Sequence, residues 1–538
     1  MAAPPSSERT HFWKLMSTSV GSMPTYPHSI AVPVIDLFAG PGGLGEGFSS
    51  ITDPNGLRAF RIALSIEKDP VAHRTLSLRA MFRHFGSPED VPEVYYDYIR
   101  GESLSRLELE RHPEMRDAVE AATVETRCAA LGEESVQTID SWIHRALGGR
   151  DNWVLIGGPP CQAYSLVGRA RQARVARSVF EKDHRHLLYR EYLRIISKFN
   201  PAVFVMENVK GILSAKLAGS RIFPKILGDL ALGGRYQIRS FVIDEPPTDP
   251  REFVIRAERY GIPQSRHRVI LLGVRSDLQH LGHVPLQQSK SPPPSVADII
   301  EELPPLRSRL SPSKLDSTAA WQQNLRRSFS VRRGVPRSVA IELRKAIAES
   351  MRLDGAGGRF VPETRGSHPR SSSTLLSWLK DARIGGWCNH DSRGHMGSDL
   401  HRYLYAAAYA RVYGKSPKVR DFPEALWPDH KNILEVDPPF LDRFRVQLSD
   451  RPSTTVMSHI AKDGHYFIHP DPSQSRSLTV REAARLQTFP DNYFFEGGRT
   501  DQFTQVGNAV PPFLARQLAE VVQGLLEARQ AELQAVAA

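Results

Sequence analysis

Cysteine is nearly absent: Cys128, Cys161 and Cys388 are the only three in 538 residues. Three thiols cannot build a disulfide framework, which points to a reduced, intracellular chain. Long apolar runs are missing as well. None approaches the roughly 20 residues needed to span a bilayer, so no membrane partner is expected. The first 30 residues are rich in Ser, Pro and Thr and lack the apolar stretch of a signal peptide. They read as a flexible tail, dispensable for chemistry. Acidic residues are in the minority: 59 Asp and Glu against 70 Lys and Arg leave a net charge of +11. That excess favours a polyanionic partner, nucleic acid first. What the chain does have is 41% apolar residues, enough for one large or two to three ordinary domains.

Residues 31–38 form an apolar strand pattern that runs into Ala39-Gly40-Pro41-Gly42-Gly43-Leu44-Gly45-Glu46-Gly47. Such glycines permit a tight turn and let the backbone approach a ligand. The helix start that follows offers N–H groups to an anion. A second strand over residues 60–66 ends at Glu67, an acid placed to accept hydrogen bonds from ribose hydroxyls. A helix continues over residues 75–82. This layout suits a nicotinamide dinucleotide and S-adenosylmethionine equally. Asp97, within residues 94–99, is expected to cap a third strand and reach an adenine amino group; a solvated strand-end acid is the competing reading. Residues 100–150 read as charged helices without identifiable chemistry.

The most informative stretch is Gly157-Gly158-Pro159-Pro160-Cys161-Gln162, after a short apolar strand at residues 153–156. Two prolines stiffen the loop and remove backbone donors. A thiol on a rigid loop at a strand end is placed as a nucleophile is placed. A further strand, residues 201–206, ends in Glu207-Asn208-Val209; an acid there, beside an apolar loop, is expected to have a raised pKa. In Gln264-Ser265-Arg266-His267-Arg268 the two arginines are two apart on extended chain, so they point the same way. They suit a base carbonyl oxygen and a phosphate. Gln505-Val506-Gly507-Asn508-Ala509-Val510-Pro511-Pro512 precedes an amphipathic helix, with Asn508 in a loop beside a cofactor.

With Asp36-Leu37-Phe38-Ala39-Gly40-Pro41-Gly42-Gly43, Gly158-Pro159-Pro160-Cys161-Gln162, Glu207-Asn208-Val209, Gln264-x-Arg266-x-Arg268, Arg451-Pro452-Ser453-Thr454-Thr455-Val456 and Gly507-Asn508-Ala509-Val510 in this order, the chain resembles DNA cytosine-5 methyltransferases of the bacterial Dcm type. The resemblance covers residues 31 to about 520 and selects S-adenosylmethionine as cofactor, with no metal. It implies an α/β fold: a Rossmann-like S-adenosylmethionine-dependent methyltransferase sheet with helices on both faces, plus a smaller inserted target-recognition domain. The expected division is a tail at 1–30, the first part of the catalytic domain at 31–285, target recognition at 286–455, and a return to the catalytic domain with a C-terminal helix at 456–538.

The resemblance also implies roles. Phe38, Ala39, Gly40, Gly42, Gly43, Glu67, Asp97, Pro159, Asn508 and Val510 surround the cofactor. Cys161 adds to cytosine C6, Glu207 with Asn208 serves N3, and Arg266 and Arg268 hold the O2 side. The base is flipped out of the duplex, and residues 163–190 close over it, with Ser165, Arg169 and Arg185 on phosphates. The expected partner is double-stranded DNA, with a restriction endonuclease as functional counterpart. The expected setting is a monomer in bacterial cytoplasm, at the nucleoid. A tRNA cytosine-5 methyltransferase and a silent DNA-binding homologue are the competing readings. The long insert argues against the first, and retention of Cys161, Glu207 and Arg266 against the second.

Within the insert, prolines at 292–294 and 304–305 mark a boundary. Residues 321–352 hold eight Lys and Arg against two acids, a face for phosphates or simply a solvated one. Trp387-Cys388-Asn389-His390-Asp391, Arg393-Gly394-His395 and Asp399-Leu400-His401-Arg402 concentrate side chains suited to reading base edges. Cys388, His390 and His395 lack a paired spacing and a fourth ligand, so zinc is not expected. Asp437-Pro438-Pro439-Phe440 matches an amino-group methyltransferase signature. Accepting it would leave Cys161, Glu207 and the arginine pair without purpose, so it reads as a turn. Thr479 and Glu482 form a capping box, with Pro490 ending that helix.

Overall fold

The computed structural model describes residues 31–53, 55–159, 184–217, 220–327, 334–363, 373–428 and 442–537. The apolar runs form an eight-stranded sheet. Its strands are β1 (Val32–Leu37), β2 (Phe60–Glu67), β3 (Thr126–Cys128), β4 (Val154–Gly157), β5 (Val203–Val209), β6 (Tyr236–Ser240), β7 (Val254–Arg256) and, after the short β8 (Gln264–Ser265) outside it, β9 (His267–Arg275). The order is β3-β2-β1-β4-β5-β9-β6, with β7 pairing the start of β9. Strands β1 to β5 run parallel, and β9 is antiparallel to its neighbours.

Both faces are covered, which is why the central strands are almost continuously apolar. Successive side chains alternate between faces. Val34, Ile62, Val154, Val205 and Leu272 pack with Leu44 and Phe48 of α1 (Gly43–Ser49) and with Leu514, Leu518 and Val522 of α16 (Pro512–Ala537). Ile35, Leu64, Leu155, Phe204 and Leu271 pack with Ile139 and Ile143 of α6 (Val136–Leu147) and Tyr192 and Ile195 of α7 (His184–Phe199). The chain crosses from β1 towards β2 and β3, then returns to β4 on the other side of β1. The crevice beyond the carboxyl ends of β1 and β4 is therefore a topological switch point, where such sheets hold ligands.

The third strand is not where the sequence suggested. Residues 93–100 form α3 (Glu93–Arg100), between α2 (Pro70–His84) and the helices α4 (Arg106–Arg111) and α5 (Arg116–Glu125). Tyr95, Tyr98 and Ile99 join Met81 and Phe82 of α2 in a core, and this burial overrides the β-propensity of the tyrosines. Asp97 lies on the outer side of α3, its carboxylate 3.4 Å from Arg100 Nη1. Strand β3 ends instead at Cys128, paired with Glu67.

Beyond α8 (Phe223–Ala231) and β9 the chain enters the insert, which comprises α9 (Val296–Ile300), β10 (Arg309–Leu310), α10 (Thr318–Arg327), α11 (Arg337–Ser350), β11 (Gly357–Pro362), α12 (Thr374–Leu379), β12 (Gly386–Asp391), β13 (Gly394–His395) and α13 (Gly397–Tyr413). It returns at β14 (Ser453–Thr454), which pairs in parallel with β8; just before it, Arg451 O accepts from Val296 N and Ser449 O from Ala297 N, so exit and re-entry are neighbours. Then follow α14 (Val480–Leu486) and α15 (Arg499–Asn508). Trp321, Leu325, Ile347, Leu400 and Leu404 give α10, α11 and α13 their own core. By contrast, α9, α12 and Trp387 share a core with Leu486, Phe489 and Phe503 of the return segment.

The polar cluster expected to read base edges is instead the seam between insert and return segment. Asn389, His390, His395 and Asp399 are buried. Asn389 exchanges two hydrogen bonds with the Phe495 backbone. His390 bonds Thr479 Oγ1 and Pro304 O, and Cys388 Sγ donates to Ile99 O. Arg393 donates to the carbonyls of Ile460 and Ala461, and Arg402 to that of Leu426. These groups satisfy one another's hydrogen bonds, as burial requires, and are closed to a nucleic acid. The Thr479–Glu482 capping box is present, but α14 ends at Leu486, four residues before Pro490, with Thr488 in the left-handed region at φ 63°.

Candidate active site

Three strand ends meet at the switch point. The first is the turn after β1. Phe38 (φ 59°) and Gly40 (φ 57°) are left-handed, and Gly42 (φ 101°) caps α1. A non-glycine residue in that region marks a backbone held by its surroundings, as at functional sites. The Gly40 N–H donates to Glu67 Oε2 at 2.8 Å, and the Asp69 N–H to Glu67 Oε1 at 2.8 Å. Each oxygen keeps a second lone pair for a ligand. Among the described residues no atom stands within 4 Å of where a Gly40 side chain would begin, so among them the turn is open. Beneath it Asp36 is buried, and burial lifts its pKa to about 8 against the pull of Arg83.

The C-terminal loop closes this turn from the other side. A Cβ on Gly43 would stand 2.3 Å from Val510 O, so Val510 lies against the start of α1. That start is therefore covered rather than open to an anion. Asn508 is the last residue of α15 and is exposed. Ala39 and Pro159 follow the adjacent strands β1 and β4. The structure thus gathers the turn residues, Glu67, Pro159 and Val510 at one end of the sheet, and places Asp97 elsewhere. The cradle, a free backbone turn with a carboxylate beside it, fits a nucleoside with a ribose diol.

The second and third ends are those of β4 and β5. Asn208 Nδ2 donates to Pro159 O at 3.1 Å, which pins the mouth of the loop carrying Cys161. Glu207 sits beside it, with Arg268 Nε 2.8 Å from its Oε1. Gly158 is required here: a Cβ would lie 2.9 Å from Glu207 Oε2. Glu207 is thus flanked by a guanidinium on one side and by Gly158 of the loop on the other. Cys161, Ser165 and Arg169 lie outside the described residues, as do the side chain of Arg185 and residues 437–440.

The two arginines separate. Arg266 falls between β8 and β9 and is only 2% exposed. Its Nη1 donates to Val456 O at 2.8 Å and its Nη2 to Gly507 O at 3.3 Å. Burial, with the like charge of Arg268 nearby, drives its pKa well below the usual arginine value. Arg266 therefore clamps backbone, and Arg268 makes the close contact with Glu207. Sequence reading gives no role to three side chains that shape the site from a distance, Gln264 among them although it belongs to the Gln264-x-Arg266-x-Arg268 motif. Gln264 bridges Val456 N and Gln487, Gln487 holds Val506 O, and Tyr493 reaches Pro41 O. All three are buried polar groups whose partners are far away in sequence, so no local pattern announces them.

Comparison with known proteins bears on this arrangement. The family model for C-5 cytosine-specific DNA methylases matches residues 139–524. The chain is similar to the type II methyltransferase M.Bpa9945I of Bacillus paralicheniformis, 34% identical over 92% of this chain and 99% of that one. It is also similar to the type II methyltransferase M.AgeI of Thalassovita gelatinovora, 26% identical over 91% and 98%. A solved structure of a candidate DNA modification methyltransferase encoded within an E. coli prophage superposes with a TM-score of 0.53 and 18% identity, over 92% of this chain and 100% of that one. Its likeness concerns the fold.

Proposed function

The chain belongs to the C-5 cytosine-specific DNA methylase family, and from that premise we propose that it methylates C5 of a flipped-out cytosine at one short duplex sequence, through a covalent adduct with Cys161. The observation that carries this reading is the Glu207–Arg268 pair held against Gly158, on the strand end next to the Cys161 loop.

Cytosine C5 is a poor nucleophile. Addition of the Cys161 thiolate at C6 moves the ring electrons towards C5 and N3, which makes C5 an enamine carbon. Glu207 meets that change at N3, holding or supplying a proton, while Arg268 fixes its carboxylate and faces the O2 side. Asn208 keeps the Cys161 loop in register through Pro159. When bound, S-adenosylmethionine supplies the electrophilic methyl group. Phe38, Ala39, Gly40, Gly42, Gly43, Glu67, Pro159, Asn508 and Val510 would hold it. A base then takes the C5 proton, the electron pair reforms the C5–C6 double bond, and Cys161 leaves.

Residues 286–455 recognise the target. Ser165, Arg169 and Arg185, in residues 163–190, hold phosphates. The type II names of the relatives support pairing with a restriction endonuclease. The enzyme acts as a monomer in the bacterial cytoplasm, at the nucleoid. Among the described residues no helix is long and apolar enough to cross a membrane.

Base-resolution methylation sequencing of DNA from a methylation-free host expressing the protein tests the reading, with Cys161→Ala as control. Protected cytosines at one motif, absent in the control, are expected. Unmodified DNA alongside methylated tRNA would overturn it.

A further inference from the structure

The glycine turn is shaped by a side chain from the far end of the chain. Tyr493 is fully buried, and its hydroxyl donates to Pro41 O, inside the turn. The turn's other bonds are local or come from β2: Gly42 N to Ala39 O, and Gly40 N to Glu67. A Cβ on Gly42 would stand 3.0 Å from the Tyr493 oxygen and 2.9 Å from Leu76 Cδ1. The turn is therefore pressed against the phenol with no space between them. The ring cannot swing away, because Phe489 and Phe495 pack on it at 4.7 and 5.4 Å between centroids.

Its neighbour Asn492 faces the insert. Asn492 Nδ2 donates to Asp381 Oδ2 at 2.7 Å, and Tyr96 of α3 donates to the same oxygen at 2.7 Å. Asn492 Oδ1 accepts from Arg79 Nη1 at 2.9 Å. Arg79 in turn grips Glu46 of α1 and lies 4.9 Å from the Tyr493 ring centre. Two adjacent residues thus hold the turn and the insert, with one guanidinium touching both.

We propose that Tyr493 is a positioning residue for cofactor binding, and that Asn492 makes the shape of the glycine turn depend on the docking of the insert through Asp381. The proposal rests on the reading that this turn holds S-adenosylmethionine. Two consequences follow in the protein's own terms. Loss of the phenolic hydroxyl relaxes the turn without emptying any space. Loss of the Asp381 carboxylate reaches the same turn from a site that touches no cofactor residue.

The test is calorimetric binding of S-adenosylmethionine to the full-length wild type, Tyr493→Phe, Asp381→Ala and the double variant, with thermal midpoints and duplex affinity measured alongside. Tyr493→Phe is expected to weaken binding about fivefold, the change equivalent to one neutral hydrogen bond. KM for the cofactor should rise while kcat at saturation and duplex affinity hold. Asp381→Ala should weaken binding in the same direction, and the double variant by less than the product of the two. A merely structural tyrosine would lower the midpoint and leave the affinity of the folded protein unchanged, which overturns the proposal. Weakening by Tyr493→Phe with none by Asp381→Ala overturns the link to the insert. Absence of binding by the wild type would instead reject the cofactor reading itself.

Discussion

Arg268 and Glu207 are diagonal partners across the antiparallel pair β9–β5. Arg268 stands opposite Val209 and Glu207 opposite Ile270, yet Nε and Oε1 approach to 2.8 Å with both side chains 15% exposed. An exposed ion pair in this geometry contributes little. This one is shielded, and it fixes the direction of a carboxylate at the mouth of the Cys161 loop.

The pair should behave as a unit. Arg268→Ala and Glu207→Gln are each expected to lower the single-turnover methylation rate by about 10²-fold or more, and the double variant by little beyond that. Multiplicative losses would show that the two act independently.

Gly158→Ala adds one methyl group, 2.9 Å from the Glu207 carboxylate. Glu207 must turn away, so kcat should fall at least about tenfold while the thermal midpoint moves by only a few degrees. Unchanged kcat would mean that the carboxylate's position is not critical.

Arg266 predicts the opposite pattern. Arg266→Leu leaves the carbonyls of Val456 and Gly507 without donors, at a cost of about 2–4 kcal/mol. Urea unfolding should show the loss. Wild-type stability with abolished turnover would return Arg266 to the substrate.

Asp36 makes stability fall as pH rises from acid to about 8. Its pKa is about 8 when folded against an ordinary 3.8. A group raised on folding supports the fold fully below its unfolded pKa, and that support is lost as pH rises through the folded value. Asp36→Asn should therefore gain in thermal midpoint over wild type between pH 5 and pH 8.5. A difference constant with pH would contradict this.

Two buried histidines act in the acid range. Burial pulls His390 and His469 from 6.5 down to about 4. Glu482 favours the charged form of both, and Arg476 opposes it; Arg485 also opposes it at His390, and Asp471 favours it at His469. Each supports the fold above pH 6.5 and loses that support as pH falls towards 4, by roughly 1.4 kcal/mol per unit. His390→Gln should flatten the fall in urea midpoint between pH 7 and pH 5. Parallel slopes for variant and wild type would count against it.

Strands β1, β2, β4, β5 and β9 are legible in the sequence because burial on both faces forces continuous apolar runs. Strand β3 is not: Thr126–Cys128 is three residues long, while residues 94–99 alternate and carry aromatics in a way that fits strand and helix alike. The spacing of Arg266 and Arg268 suggests one shared direction, but the break between β8 and β9 falls there, and only tertiary packing decides which guanidinium meets Glu207. The polar residues near 390 look solvated because their partners are some 90 positions away; His390 bonds Thr479, and Asn389 bonds Phe495.

The backbone bonds from Val296 to Arg451 and from Ala297 to Ser449 make the insert a removable cassette by its ends alone. A foreign segment joined there would find its termini already adjacent, so closing the graft demands little of the chain. Compatibility is decided deeper. Asn389, His390 and Arg393 are keyed to the return segment, and Asp381 is keyed to Asn492. A transplant cut at those bonds carries one half of that lock and leaves the other behind. Exchange of the insert is thereby restricted to its remaining surface, unless lock and key are moved together.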